Sequence, residues 1–511
     1  MKNMINLNKK VLLIILDGFG VNKKYKGNAI SKAKMLFYDS LLENNPHIKL
    51  GASEEYVGLP SKQIGTSEVG HSTIGAGRVL LSEIKRINDS IKSGEFKNNS
   101  ILIKNLKNIK DKNVLHLVGL VSDGGVHSHI NHLFYLLDVI KSYKNIKQVY
   151  IHVFSDGRDT PPKSAIKYIR KLQQKLNDIG LGEIASISGR YYGMDRDNNW
   201  DRLKKYYDLL VYNKGNYSQS ITNYIKNSYL EGINDEFFIP TYFIKNSFIR
   251  NKDTILFFNF RSDRARQFTS AFCSKHFSKF ETKKLNINFI TFTQYDSKIK
   301  NVKVLFPPKE QLPGLGQIIS ELGYKQLRIA ESEKYAHVTY FFNIGKEKPN
   351  KNEDRILIPS PSVATYDLKP EMSAKIITKE LLSTFNKDYI LTVLNFANPD
   401  MVGHTGNIGA AVSALETVDK CLKIIFSNID LEKTTVIITA DHGNCDEMLF
   451  EDDSVSTSHS LSKVPFILIS NNKCELIKQN SNLSIASITP TILNILDIDV
   501  PDYMAESLIK K

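Results

Sequence analysis

Apolar residues in this chain come in short, near-continuous runs that stop at an acid, a glycine or an arginine. Val11–Leu16 ends at Asp17-Gly18, the run from Val114 at Asp123-Gly124, and the run from Val149 at Asp156-Gly157-Arg158-Asp159. Thr254–Phe260 ends at Arg261, the run from Tyr389 at Asp400, and the run from Thr435 at Asp441-His442-Gly443. Such β-branched and aliphatic runs predict strands buried on both faces, as in parallel sheets covered by helices. Stretches of helical period, His132–Tyr143 and Ser164–Ile179, alternate with them, so the expected class is α/β. Ligands of these sheets bind beyond the carboxyl ends of the strands, and every acid and arginine just named is expected there. Two Pro/Gly-rich places interrupt the pattern, one after Gly75-Ala-Gly77-Arg78 and one at Phe306–Gly314. They predict an outer domain of residues 1–79 plus 309–511 and an inserted domain of residues 80–308.

A length of 511 residues agrees with two domains, because single cores rarely grow past about 250–300 residues. At 41% apolar and 24% charged residues the chain is an ordinary globular one, which excludes wholesale disorder. No apolar run nears the ~18 residues of a membrane helix, and no small-residue cleavage site follows the lysines before Val11, so neither a membrane nor secretion is expected. Four cysteines without paired spacing point to a reducing compartment, and a cytoplasmic location is expected. The formal charge of +14 comes from lysines scattered among asparagines and isoleucines. Without a Lys/Arg stripe interleaved with aromatics, nucleic acid is not an expected partner. An anionic small molecule suits the same charge, and a monomer is expected.

Two constellations carry candidate chemistry. In the outer segments, Asp400-Met-Val-Gly-His404 sets a carboxylate and an imidazole four residues apart, within reach of one point on a helical turn. Asp441-His442 and Asp17 close strands, and His459 lies in a Ser/Thr-rich loop. Singly each reads as a cap or a core residue; together they suit Mn²⁺ or Zn²⁺ better than Mg²⁺. Ser67, in Gly65-Thr66-Ser67, is a candidate nucleophile at a helix start, where phosphate binds; without a metal, Thr66-Ser67 is simply a cap. His71 is a base or a supporting residue. Between these segments, Arg158-Asp159, Arg190 with Arg196, and Arg261 with Arg264 offer forks matched to carboxylate and phosphate oxygens. His127 lies in a glycine-flanked loop, whereas His129 and His132 read as structural. Lys334 by itself is an ordinary surface lysine.

Longer motifs add a resemblance. Leu16-Asp-Gly-Phe-Gly20, Thr66-Ser-Glu-Val-Gly-His71, Ser155-Asp-Gly-Arg-Asp-Thr-Pro-Pro162 and Gly189-Arg-Tyr-Tyr-Gly-Met-Asp-Arg196 resemble cofactor-independent phosphoglycerate mutases. So do Asn259-Phe-Arg-Ser-Asp-Arg264, Asn398-Pro-Asp-Met-Val-Gly-His-Thr-Gly406 and Thr439-Ala-Asp-His-Gly-Asn444. The resemblance implies an alkaline-phosphatase-like parallel-sheet domain with an inserted α/β transferase domain. It implies interconversion of 3-phosphoglycerate and 2-phosphoglycerate, independent of 2,3-bisphosphoglycerate, through a phosphoserine at Ser67. It implies two divalent cations, Mn²⁺ being expected. One would be held by Asp400, His404 and His459, and the other by Asp17, Ser67, Asp441 and His442. Substrate positions would be His127, Arg158, Asp159, Arg190, Arg196, Arg261, Arg264 and Lys334. Ser67, Asp159 and Lys334 would be catalytic, Asp159 moving the hydroxyl protons. The loop His459-Ser-Leu-Ser-Lys-Val-Pro465 and Asn343-Ile-Gly345 depart from the family pattern without removing a ligand. The alternative is a metal-dependent phosphomonoester hydrolase of the same superfamily.

Overall fold

The computed structural model describes residues 9–308, 311–471, 474–480 and 482–510. The chain divides into two compact units, Met1–Ser82 with Gln311–Lys511, and Glu83–Glu310.

The first unit is built on a seven-stranded sheet. Its strand order is Glu353–Ile358, Lys325–Glu331, Tyr389–Phe396, Lys10–Leu16, Thr434–Thr439, Val464–Ile469 and His47–Leu50. The five strands from Glu353–Ile358 to Thr434–Thr439 are parallel. In the central strand Lys10–Leu16 every residue after Lys10 is buried, as the unbroken apolar run requires. Val464–Ile469 departs from the all-parallel expectation and runs antiparallel to Thr434–Thr439. The cause is the connection: no helix lies between these two strands to carry the chain back to the starting edge. Helices such as Ile408–Phe426 cover the sheet with alternating apolar stripes.

The second unit has an eight-stranded sheet. Its order is Lys303–Phe306, Asn288–Thr293, Thr254–Phe257, Leu115–Leu120, Val149–Ser155, Glu183–Gly189, Thr241–Tyr242 and Asn216–Tyr217. The first six strands are parallel, and the short Thr241–Tyr242 pairs antiparallel with Glu183–Gly189. Leu115–Leu120 and Val149–Ser155 are buried throughout. Helix Ala165–Ile179 buries Ala165, Tyr168, Ile169, Leu172, Leu176 and Ile179, the three- and four-residue spacing of one helical face. Among the described residues, no helix is long and apolar enough to cross a membrane.

Candidate metal centre and anion-binding cluster

In the first unit the carboxyl ends of the central strands bring the acids together. Asp17 follows Lys10–Leu16, and Asp441 follows Thr434–Thr439 by two residues. Asp400 lies in the short helix Asn398–Gly403, which opens just after Tyr389–Phe396 with Pro399 in its first turn. Gly18 takes φ +73°, and a Cβ there would lie 2.8 Å from Asp400 Cα, so only glycine lets these two strand ends approach. Ser67 is the first residue of helix Ser67–Ala76. Thr66 is the cap, its side chain accepting a hydrogen bond from Val69 N at 3.3 Å. A Cβ on Gly70 would meet Asp441 O at 2.5 Å, so glycine also lets that helix close on the Asp441 turn.

Ser67 Oγ lies 2.9 Å from His442 Nε2 and 3.3 Å from Asp17 Oδ1. His442 Nε2 is 3.3 Å from Asp441 Oδ2. A second group adjoins it. The Nε2 atoms of His404 and His459 are 3.1 Å apart, and each is 3.3 Å from Asp400 Oδ1. The His442 ring stacks on His459 at 3.8 Å and so borders both groups. Asp17, Asp441 and His442 can offer atoms to one ion, and Asp400, His442 and His459 to another.

The chemistry of these donors fits divalent cations. His404 Nδ1 lies 2.7 Å from Thr457 O and His459 Nδ1 2.7 Å from Gly65 O. Each Nδ1–H therefore donates to a carbonyl, and in the neutral rings both Nε2 lone pairs face one another beside a carboxylate. That arrangement is repulsive unless a proton or a metal ion sits there, and hydrogen bonding to Asp400 raises the proton affinity of both rings accordingly. Asp17, Asp400 and Asp441 are all essentially buried. Lys334 Nζ donates to Asp17 Oδ1 at 2.7 Å, to Asp400 Oδ2 at 2.5 Å and to Ser67 Oγ at 2.8 Å. Burial opposes charge on Lys334, but Asp17 and Asp400 outweigh it and hold the ammonium protonated. One ammonium against three buried carboxylates leaves negative charge for further cations to neutralise. Burial and Asp441 raise the proton affinity of Asp17 for the same reason.

The second unit gathers its charges at the carboxyl ends of its own sheet. Asp156 Oδ1 accepts from Arg190 Nη1 at 2.7 Å, Asp159 N at 2.9 Å and Arg158 N at 3.2 Å. Arg190, 2% exposed, also reaches Asp159 Oδ2 at 2.6 Å. Asp263 Oδ2 accepts from Arg196 Nη1 at 2.9 Å, and its Oδ1 lies 3.3 Å from Arg261 Nε. Arg264 Nη1 donates to Met194 O at 3.1 Å. His127 stands between Asp159, at 3.8 Å, and Asp263, at 3.6 Å. Burial and Arg190 push its pKa down to about 3, which leaves a neutral ring in a positive surrounding. Arg158 extends outward to Glu236 at 3.4 Å.

Residues 87–297 match the family model of the BPG-independent PGAM N-terminus, and residues 322–486 match that of type I phosphodiesterase / nucleotide pyrophosphatase. The chain is 48% identical over 503 residues to the 2,3-bisphosphoglycerate-independent phosphoglycerate mutase of Clostridium acetobutylicum, covering 97% of this chain and 98% of that protein. The Clostridioides difficile protein of the same name is 47% identical over 512 residues, with 99% and 100% covered. The chain belongs to the 2,3-bisphosphoglycerate-independent phosphoglycerate mutase family. Its fold matches that of Leishmania mexicana phosphoglycerate mutase, solved at low cobalt concentration, with a TM-score of 0.66, 28% identity and coverage of 100% and 99% of the two chains.

In this mutase-family chain, all seven expected metal-site residues converge in the first unit, and Lys334 lies among them rather than on the surface. The expected arginines, with His127 and Asp159, converge in the second. His129 caps helix Ile130–Lys141, and buried His132 contacts Asn88 Oδ1 at 2.7 Å, so both are structural. Cys445 is buried, its thiol donating to Gly18 O at 3.5 Å, and burial raises its pKa. Sequence reading named Asp156 only as a strand-end acid and missed Asp263, Asn444 and Asn395 as supporting residues. Asp156 and Asp263 are the acids inside the arginine motifs, and that position was their signal. Asn444 Nδ2 donates to Asp400 Oδ1 at 2.7 Å. Asn395 interrupts an apolar strand and touches Asp17.

Proposed function

We propose that this protein interconverts 3-phosphoglycerate and 2-phosphoglycerate without 2,3-bisphosphoglycerate, with Ser67 carrying the phosphoryl group between the two positions. The observation that carries this reading is the setting of Ser67 Oγ, at a helix start and within 3.3 Å of His442, Asp17 and Lys334. Asp400, His404 and His459 would hold one cation and Asp17, Ser67, Asp441 and His442 another, and when bound the two would supply Lewis acidity that favours an ionised hydroxyl and neutralises phosphate charge. We assign Mn²⁺ because mixed carboxylate and imidazole donors suit it.

The residues of the chain do the rest. The free N–H groups at the start of helix Ser67–Ala76 attract the phosphate. As Ser67 Oγ bonds to phosphorus, the bond from phosphorus to the substrate oxygen breaks. Lys334 offsets the charge that develops, and the proton that leaves the Ser67 hydroxyl passes by way of Asp159 to the released glycerate oxygen. In the return step the other glycerate hydroxyl attacks phosphorus, Asp159 takes its proton, and the bond from Ser67 to phosphorus breaks. Arg190, Arg196, Arg261, Arg264, Arg158 and His127 hold the carboxylate and hydroxyls of glycerate while the phosphoryl group is on serine. The division of labour is phosphoryl chemistry in residues 1–79 plus 309–511 and glycerate binding in residues 80–308. The protein acts as a cytoplasmic monomer in this reading. Its cysteines are all free, as a reducing compartment requires.

The alternative is hydrolysis, in which water takes the phosphoryl group. The arginine cluster speaks against it, because a hydrolase has no need to retain the alcohol. Phosphorus NMR of 3-phosphoglycerate with the Mn²⁺-loaded protein, free of bisphosphoglycerate, separates the two. Accumulating 2-phosphoglycerate supports the mutase, and inorganic phosphate as the main product overturns it.

A further inference from the structure

Asn395 is fully buried on strand Tyr389–Phe396, where it pairs in register with Ile15, two residues before Asp17. Its neighbours along the strand are Leu394 and Phe396, and an aliphatic side chain is the inexpensive choice at such a position. Asn395 Nδ2 instead lies 2.8 Å from Asp17 Oδ2 and 3.1 Å from His71 Nε2, while its Oδ1 makes no hydrogen bond. Both contacts fall on the nitrogen. The carboxylate of Asp17 accepts only, so the amide nitrogen must face it; the reverse orientation would set two acceptor oxygens together. The second N–H then points to His71 Nε2, which must present its lone pair. The His71 proton is thereby on Nδ1, which lies 2.9 Å from Ser67 O and 3.2 Å from Asp441 Oδ2.

We propose that Asn395 is a positioning residue that, through its two amide hydrogens, orients Asp17 directly and Ser67 and Asp441 by way of the His71 tautomer. The inference rests on the metal reading given above, since these three residues share one proposed cation. Its consequence is specific. With Oδ2 of Asp17 held by the amide, Oδ1 stays turned toward Lys334 Nζ, at 2.7 Å, and Ser67 Oγ, at 3.3 Å, on the side where the cation would bind. With His71 fixed as an Nδ1–H donor, its hydrogen bond holds the backbone of Ser67, and Asp441 Oδ2, 3.2 Å from the same nitrogen, is drawn to it electrostatically. Partners that orient metal ligands in this way typically govern 10–100-fold in metal affinity. Asp400, His404 and His459 are oriented by Asn444, Thr457 and Gly65 instead, so Asn395 acts on one cation and not on both.

The test is calorimetric titration of Mn²⁺ into the metal-stripped full chain, in wild type, Asn395→Ala and Asn395→Leu. The leucine variant keeps bulk in the strand should the alanine variant fail to fold. The expected result is that one of two Mn²⁺ affinities falls 10–100-fold while the other changes less than about threefold. Mutase kcat should fall at limiting Mn²⁺ and recover at high Mn²⁺, with KM for phosphoglycerate unchanged. A purely structural asparagine would instead lower the melting temperature of the stripped protein and weaken both ions together. Wild type binding two ions, with either variant indistinguishable from it or weakened equally at both, overturns the role of Asn395 and leaves the metal reading standing. Wild type binding no Mn²⁺ removes the metal reading and this inference with it.

Discussion

Replacing His152 by glutamine should flatten the acid sensitivity of the second unit. His152 is 1% exposed, with Nδ1 2.8 Å from Ser186 Oγ and Nε2 2.9 Å from His116 Nδ1. His116, also buried, has Nε2 3.4 Å from Asp253 Oδ2. One order of donors satisfies this row across the sheet: Ser186 to His152, His152 to His116, and His116 to Asp253, with both rings neutral. An added proton on His152 would force the Ser186 hydroxyl to turn from donor to acceptor, and burial together with His116 pushes its pKa well below 6.5. Burial also lowers His116, against the pull of Asp253 and with the help of Arg250. The unfolded chain therefore takes up protons that the folded chain refuses. The stability contributed is full above the unfolded pKa of about 6.5 and is lost as pH falls below it. Between pH 7.5 and pH 5.5 each such histidine costs about 1.4 kcal/mol. Glutamine does not titrate, yet its amide still donates to His116 Nδ1. The variant should thus lose about 1.4 kcal/mol less than wild type over this interval. Urea denaturation followed by the fluorescence of Trp200 reads this unit, since Trp200 is the single tryptophan and packs on Phe277. Parallel loss of stability in the two proteins would refute the neutral, one-directional row.

Three further outcomes are expected. Arg261→Ala should lower kcat/KM roughly 10–150-fold, the worth of a charge-assisted fork of about 1.5–3 kcal/mol. Arg261→Lys should recover little of this, because a point charge does not replace a fork; wild-type steady-state constants in both variants would contradict the assignment. Glu331 is fully buried, and burial raises its pKa from 4.5 to about 7. The folded chain holds this proton longer than the unfolded one, so stability is highest below pH 4.5 and falls as pH rises to about 7. Glu331→Gln should therefore raise the melting temperature at pH 8, by up to about 3 kcal/mol of stability, and leave it unchanged at pH 4.5; equal melting at both values would contradict this. Chelation should abolish activity and lower the melting temperature, and Mn²⁺ should restore both, since an ion that binds only the folded state stabilises it. Full turnover by protein shown by elemental analysis to be metal-free would exclude the metal reading.

Much of the site was legible because the relevant signals are local. Strand runs that stop at Asp17 and Asp441, and the four-residue step from Asp400 to His404, are visible without any tertiary contact. What escaped depends on contacts between distant segments. Lys334, alone an ordinary surface lysine after two glutamates, enters the site in the sequence only through the family resemblance, and its contacts with Asp17 and Asp400 join segments more than 60 residues apart in the chain. Asn395, His116 and His152 interrupt apolar runs, which marks them as unusual, but their partners come from other strands. The reversed direction of Val464–Ile469 follows from a loop without a helix, a property of the connection and not of the strand's own residues. Asp263 sits within the arginine motif, yet its role as the shared counter-ion of Arg196 and Arg261 needs their geometry.

The central claim is that Ser67 carries the phosphoryl group. Rapid acid quench of the Mn²⁺-loaded protein during turnover of 3-phosphoglycerate, followed by peptide mass spectrometry, tests it most directly. The account predicts phosphate on the peptide containing Ser67, appearing before 2-phosphoglycerate accumulates, and its absence together with loss of turnover in Ser67→Ala. Steady turnover with no phosphorylated Ser67 at any quench time, or a Ser67→Ala protein that still forms 2-phosphoglycerate at the wild-type rate, would contradict it.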